Sequence, residues 1–352
     1  MKKLKILHLG IGNVGRSLVE QILEQQKFIE KNYSVQFVYC GLFTTKGGIF
    51  NKEGFTSSSL PTLLQQIQKD LVQEKQNVAD IILHMPSPFV LIDTTASDKT
   101  IPLLECALQK GDFVAMSNKK PIANSQKLFN RLHKISGQRL FYETTVGAGL
   151  PVIQTLNALL ATGDDIIKIQ GCMSGTLGFV FSQLETGATF TQAVMEAKTK
   201  GFTEPDPRDD LSGIDVARKA LILARLIGQK IELSDIQLES LYAKDMDKLT
   251  VELFLQQLSK LDKSYKEEIK IAKKAKKVLR YVATITKKTC KVGLEMVDEN
   301  SELGSLQGRN NLIMFQTKRY FDNPLTVKGH GAGAEVTAAG VFGDLLSIAK
   351  MI

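Results

Sequence analysis

Through residues 1–145, short runs rich in β-branched and aromatic side chains alternate with stretches whose apolar positions recur at helical spacing. Strands are predicted at 5–9, 35–40, 89–93, 113–117 and 140–143, bounded by turn residues. Between them Leu60, Leu63, Leu64, Ile67 and Leu71 share one helix face, and a segment at 100–110 ends at Gly111, where a left-handed helix cap costs little. This rhythm predicts an α/β fold that opens with a Rossmann-like doubly wound domain.

Past Glu143 the loop TTVGAGL runs into Pro151, and proline suits the first turn of a helix because its missing N–H would be unpaired there. A strand is predicted at 166–171, then a Ser174-Gly175-Thr176 turn, a helix, the proline-aspartate segment EPDPRDD and a strongly apolar helix over 211–227. Alternating segments at 278–286, 291–296, 311–318 and 325–328 predict an antiparallel addition to the sheet, and a last helix over 334–350 follows a second glycine cluster,. The expected organisation is two intertwined domains: residues 1–145 with 334–352 as a dinucleotide-binding domain, and 146–333 as an α+β domain.

At 352 residues the chain has room for two domains or one elaborated one, and 43% hydrophobic and 23% charged side chains are the composition of a folded globular protein,. The apolar run near the start breaks at glycines, far short of the about 20 residues a membrane span needs. Cys40, Cys106, Cys172 and Cys290 are scattered singly, so neither a zinc site nor a disulfide framework is encoded, and free thiols in the cytoplasm are expected. The net charge of +8 has its densest source at 263–280. Lysines interleaved with Ile269, Ile271 and Ala272 read as a solvated helix face, and no aromatic platform accompanies them, so no nucleic-acid partner is expected. His8, His84, His133 and His330 show no metal-ligand spacing,.

Gly10-Ile11-Gly12-Asn13-Val14-Gly15 directly follows the first strand and opens a helix. In that position the glycines permit a tight turn, close approach of backbone to a pyrophosphate and close helix–strand packing. A plain strand-to-helix turn is the alternative. Dinucleotide sites that prefer NAD carry an acidic residue at the end of the second strand, whereas here Cys40-Gly41-Leu42-Phe43-Thr44-Thr45-Lys46 contains no carboxylate. NADP(H) is therefore favoured, with NAD as the alternative.

On the predicted helix over 211–227, Asp215 and Lys219 are spaced i, i+4, with Arg218 and Arg225 to one side. Read from the helix alone, that pair is a surface salt bridge worth ~0.3–0.5 kcal/mol. Lys119 follows the fifth strand, at the end of the sheet where open α/β folds place ligands, yet beside Lys120 it also reads as an ordinary loop lysine.

Residues 197–219 read AKTKGFTEPDPRDDLSGIDVARK, and over this whole stretch the chain resembles the homoserine dehydrogenases. Asn118-Lys119-Lys120-Pro121, the Glu143 to Pro151 segment ETTVGAGLP, Ser174-Gly175-Thr176-Leu177 and Gly331-Ala332-Gly333 with Val336-Thr337 agree with the family in order. The resemblance is closest to the short, stand-alone form without an aspartate kinase or regulatory domain; one departure is Glu335-Val336, where many relatives carry a proline before the threonine.

What the resemblance implies is a dehydrogenase that interconverts L-homoserine and L-aspartate 4-semialdehyde, with residues 146–333 forming a catalytic and dimerisation domain. It implies that Lys219 transfers the proton, Asp215 contacts substrate and positions the lysine, and Glu204 pairs with the substrate ammonium. Lys119 would lie between nicotinamide and substrate. Thr95, Gly201 and Gly333 match cofactor contacts, alongside Gly10, Gly12, Asn13, Val14 and Gly15. Asp209 and Asp210 either hold substrate by charge or cap the following helix. A monovalent cation such as sodium is implied in the loop of Glu143, Val146, Ala148 and Leu150, through backbone carbonyls, and the implied assembly is a homodimer. Two other readings compete. A semialdehyde dehydrogenase would need a nucleophilic cysteine, for which Cys172 is the nearest candidate; a non-catalytic nicotinamide-binding sensor or nucleic-acid partner would use 263–280.

Overall fold

A parallel strand with neighbours on both sides and helices on both faces is buried throughout, so it reads as a continuous apolar run. β4 (Phe89–Asp93) meets that description in full, with all five residues buried, and β1 (Lys2–Leu9) does so from Ile6 onward. Together with β2 (Val35–Phe43), β3 (Gly48–Phe50), β5 (Phe113–Met116) and β6 (Leu140–Phe141) they form a six-stranded sheet of order β3-β2-β1-β4-β5-β6. All pairings are parallel except the short β2–β3 pair. The computed structural model describes residues 1–71 and 77–352. It divides into one unit of Met1–Gly149 with Gly333–Ile352 and a second of Leu150–Ala332.

In the first unit, Leu18, Val19 and Ile22 of the helix Asn13–Glu24 pack with Leu4 and Ile6 of β1, and Val341, Leu345 and Ile348 of the C-terminal helix Ala334–Ala349 join the same core. The expected Rossmann-like domain is present. The helix carrying Leu60, Leu64 and Ile67 ends at Gln68, before the expected Leu71.

The second unit carries β7 (Ile166–Cys172), β8 (Gln237–Leu238), β9 (Lys277–Thr286), β10 (Cys290–Asp298), β11 (Asn310–Thr317) and β12 (Leu325–His330), ordered β12-β11-β7-β9-β10-β8. This corrects the expectation that the later strands extend the first sheet: they build a separate, mainly antiparallel sheet around β7. The helices Gly175–Glu185, Ile214–Leu226 and Ser259–Lys274 pack on β9. The basic run at 263–280 is likewise not one helix face. Its helix stops at Lys274, and Arg280 lies in β9, buried, donating to the carbonyls of Leu303, Gly304 and Leu306 and paired with Glu185. Arg225, expected beside the exposed pair, is also buried and donates to the Ile231 carbonyl and to Glu232. Among the described residues no helix is long and apolar enough to cross a membrane.

The apolar helix expected over 211–227 is broken near its start. A short helix, Arg208–Leu211, ends, the chain turns at Gly213 with φ +73°, and the long helix begins at Ile214. A side chain at Gly213 would be strained by that φ and would run into the Tyr281 phenol, whose hydroxyl donates to the Glu239 carbonyl. Gly213→Ala is expected to destabilise the fold by about 1–3 kcal/mol or more, the usual cost of overpacking. An unchanged urea midpoint would contradict this.

Candidate active site

The loop after β1 is fastened from beneath. Gly10 N donates to the Phe43 carbonyl (2.8 Å), and the Thr94 hydroxyl donates to the Gly10 carbonyl (2.6 Å). His8 Nε2 lies 2.9 Å from Thr94 Oγ1. With the hydroxyl proton committed to Gly10, Nε2 must be the donor; burial pushes the His8 pKa down to about 3, so the ring is neutral,. A Cβ at Gly15 would run into the Gly10 carbonyl oxygen, whereas one at Gly12 would meet nothing within 4 Å. Closely packed at Gly15 and unobstructed at Gly12, the loop leads into the helix Asn13–Glu24, whose first-turn N–H groups receive no side-chain cap from Gly12 and so suit an anion,.

β1 and β4 are the neighbours at which the strand order of this sheet reverses, and ligands of open α/β sheets bind at that crevice. Thr95 stands just past β4, its Cγ2 close over Gly10. Its N–H donates to Asp93 (2.9 Å) and its hydroxyl oxygen accepts from Asn118 (3.2 Å). Lys119 follows Asn118 in the loop after β5. Beyond β2, Thr44 donates to the Gly47 carbonyl and accepts from Lys46 N. Lys46 is ion-paired with Asp70, the two side chains 65% and 55% exposed. That carboxylate comes from another part of the chain, so inspection of the β2 end alone could not reveal it; an exposed pair of this kind is worth little and leaves the lysine exchangeable.

In the second unit Lys219 is only 8% exposed. Its Nζ donates to the Met173 carbonyl (2.6 Å) and to Asp215 Oδ2 (2.8 Å). The salt bridge of the pair is present, with Asp215 41% exposed, but the lysine is not a surface residue: it is drawn inward by a backbone oxygen just past β7. Nearby, Glu204 N donates to Asp210 Oδ2 (2.8 Å), and Thr176 holds the Phe202 carbonyl (2.6 Å). Burial raises the Asp210 pKa, and the charges of Glu204 and Asp215 add to the rise; hydrogen bonds from Glu204 N and Thr176 oppose it. Asp210, desolvated and within electrostatic reach of both Glu204 and Asp215, makes a surrounding that favours a cation,. Asp209 is exposed. Neither it nor Asp210 caps the helix Ile214–Leu226, whose N-cap is Gly213 without a side-chain bond.

Residues 151–346 match the family model described as homoserine dehydrogenase. Over 98% of its length the chain is 37% identical to the homoserine dehydrogenase of Schizosaccharomyces pombe, covering 95% of that protein. The chain belongs to the homoserine dehydrogenase family. It is also 38% identical, over 96% of its length, to the bifunctional aspartokinase/homoserine dehydrogenase of Haemophilus influenzae, of which it spans 42%. A Candida auris protein of unknown function has the same fold with TM-score 0.91 and 31% identity, covering 100% of this chain and 99% of that one. A hyperthermophilic archaeal homoserine dehydrogenase in complex with NADPH superposes with TM-score 0.77 at 24% identity, covering 99% and 98%.

In this homoserine dehydrogenase family member, Gly10, Gly12, Asn13, Val14, Gly15, Thr95, Lys119 and Gly333 lie in the first unit, and Gly201, Glu204, Asp209, Asp210, Asp215 and Lys219 in the second. Asn13 Oδ1 accepts from Arg16. Gly333 is the N-cap of the helix Ala334–Ala349, which forms intact through Glu335 and Val336 despite the departure from relatives there. Of the expected cation loop, Glu143, Val146 and Ala148 belong to the first unit and Leu150 opens the second. Ala148 takes a left-handed φ of +52°, and buried Asp344, which accepts from Glu143 N, is pushed well up by burial and then by the Glu143 charge.

No role was read from the sequence for the Met173 carbonyl, Thr176, Asp93 or Asn118, although Asn118 and Thr176 lie in segments that resemble the family. A backbone oxygen has no residue signature, but an aspartate closing an otherwise apolar strand was a signal for Asp93. Cys172 is buried, and desolvation pushes its thiol up to about 12, so thiolate for acyl-enzyme chemistry would be scarce at neutral pH.

Proposed function

We propose that this chain is a nicotinamide-dependent oxidoreductase that interconverts L-homoserine and L-aspartate 4-semialdehyde, preferring NADP(H). The observation that carries the reading is the buried Lys219, with two of the three N–H directions of an ammonium taken by Met173 and Asp215. The third remains for the oxygen of a substrate alcohol or aldehyde.

A nicotinamide cofactor, held through its pyrophosphate at the Gly10–Gly15 loop, would supply hydride exchange with the substrate carbon. The chain's own residues handle the proton and the orientation. In aldehyde reduction Lys219 Nζ donates its remaining proton to the substrate oxygen as negative charge develops there; in alcohol oxidation the neutral amine takes the proton back. Asp215 holds the amine and compensates its charge. Glu204 binds the substrate ammonium, with Asp210 and Asp209 contributing negative charge. Lys119 helps proton transfer or polarises the substrate oxygen. Gly201 and Gly333 contact cofactor through backbone, and Glu143 with the carbonyls of Val146, Ala148 and Leu150 would hold a monovalent cation. A cytoplasmic homodimer, joined through the second sheet, completes the reading.

Initial rates with homoserine against NADP+ and NAD+ test it. Turnover with homoserine is expected, with a higher kcat/KM for NADP+, because the segment Cys40–Lys46 at the end of β2 carries no carboxylate of its own to repel a 2′-phosphate, and Asp70 is held by Lys46. Lys46→Ala is expected to narrow that preference, since freeing Lys46 from Asp70 costs little. No turnover with either cofactor would refute the activity, and a clear preference of the unmodified protein for NAD+ would refute the cofactor assignment.

A further inference from the structure

The loops that follow β4 and β5 are joined by one buried amide and one buried carboxylate. Asp93, 0% exposed, closes β4. Its Oδ1 accepts from Thr95 N (2.9 Å), and its Oδ2 accepts from the Thr100 hydroxyl (2.7 Å) and from Asn118 Nδ2 (2.9 Å). Asn118, 2% exposed, also directs Nδ2 at the Ser97 carbonyl (2.6 Å) and Thr95 Oγ1 (3.2 Å), while its Oδ1 accepts from Lys120 N (3.1 Å). The main chain adds bonds from Ser117 N (3.0 Å) and Asn118 N (3.4 Å) to the Asp93 carbonyl.

Two consequences follow from this arrangement. The site demands an amide, because one end of the side chain faces acceptors and the other faces an N–H; a carboxylate at position 118 would confront Asp93. Lys119 is also bracketed, since the residues on both sides of it, Asn118 and Lys120, are tied to the same amide. Thr95 and Lys119 therefore cannot shift independently.

We propose that Asp93 and Asn118 are positioning residues that set the place of Lys119 and of the Thr95 loop together, coupling the grip on the cofactor to proton handling at the substrate oxygen. The inference rests on the assignment of Thr95 and Lys119 to cofactor and substrate. Neither Asp93 nor Asn118 needs to touch either molecule. Their contribution is the sub-ångström registration whose loss from outside the chemistry can lower a rate by up to about 10²-fold.

The test compares Asn118→Ala, Lys119→Ala and the double variant, measuring kcat, KM for homoserine, NADPH affinity by fluorescence and thermal midpoint. Asn118→Ala is expected to lower kcat roughly 10- to 100-fold and NADPH affinity about fivefold or more, because the Thr95 loop loses the two bonds from Asn118 while keeping its link to Asp93,. The KM for homoserine should change less than about twofold, since Glu204 is untouched. The double variant should turn over no more slowly than Lys119→Ala alone, as residues acting through one another are not additive. Additive losses, or a lower thermal midpoint with kcat and NADPH affinity unchanged, would overturn the proposal.

Because the buried amide carries several bonds, Thr100→Val provides a milder variant. It removes only the hydroxyl that steadies Asp93, and is expected to lower kcat several-fold with Lys119 present and not at all in the Lys119→Ala background. If Lys119→Ala alone leaves kcat intact, the assignment of Lys119 fails. Positioning of the Thr95 loop is then decided by NADPH affinity: a loss in Asn118→Ala sustains it and an unchanged affinity overturns it.

Discussion

Lys219→Ala is expected to lower kcat for homoserine oxidation roughly 10²- to 10⁴-fold, the range for loss of a general acid or base, while cofactor still binds. The argument rests on where the amine sits. An exposed i, i+4 pair would leave turnover nearly unchanged on truncation, but Lys219 is buried and held by the Met173 carbonyl and Asp215. Its position is over-determined, as a proton-transfer group requires. Removing it also leaves the Met173 carbonyl without its charged donor, so some loss of stability is expected beside the rate effect. Single-turnover measurement on folded, NADPH-binding variant separates the two. A folded variant with near-normal kcat would falsify the assignment and shift proton transfer to Lys119.

Glu204→Ala is expected to raise the KM for homoserine by roughly 30- to 150-fold, corresponding to about 2–3 kcal/mol for a lost charge-assisted hydrogen bond. Glu204 is exposed in the present structure and joined to Asp210 through its backbone N–H, so the carboxylate is available for a ligand while the main chain stays anchored. That separation predicts a clean KM effect: the side chain is lost, but the Glu204–Asp210 backbone bond is not. Glu204→Gln should recover part of the affinity by keeping an acceptor without the charge. Cofactor affinity should barely move. Loss of NADPH binding with an unchanged homoserine KM would show that the loop serves the cofactor instead. Burial and the charges of Glu204 and Asp215 together raise the Asp210 pKa. Asp210 therefore takes up a proton at a higher pH than an ordinary aspartate, and homoserine affinity is expected to weaken correspondingly early on acidification.

What the sequence by itself determined was whatever depends on local pattern. The apolar β4 run, the glycine spacing after β1 and the i, i+4 placement of Asp215 and Lys219 follow from chain geometry alone, since residues so spaced on a helix share a face in any fold. The tertiary structure decided the rest, because burial and nonlocal partners depend on elements far apart in sequence. Segments that alternate apolar and polar residues announce strands but not the sheet they join, and here they formed a second sheet around β7. Lys219 and Asp215 are equally an exposed pair or a buried one until β7 brings the Met173 carbonyl to the amine, 46 residues away in sequence. Arg280 and Arg225 read as surface charges and became interior donors, because backbone carbonyls of later loops satisfied them. Asp70 reached Lys46 from 24 residues away, and Asn118 found Asp93 across 25. In each case the residue type was visible in the sequence, while the partner that decides what its side chain does was supplied only by the folded chain.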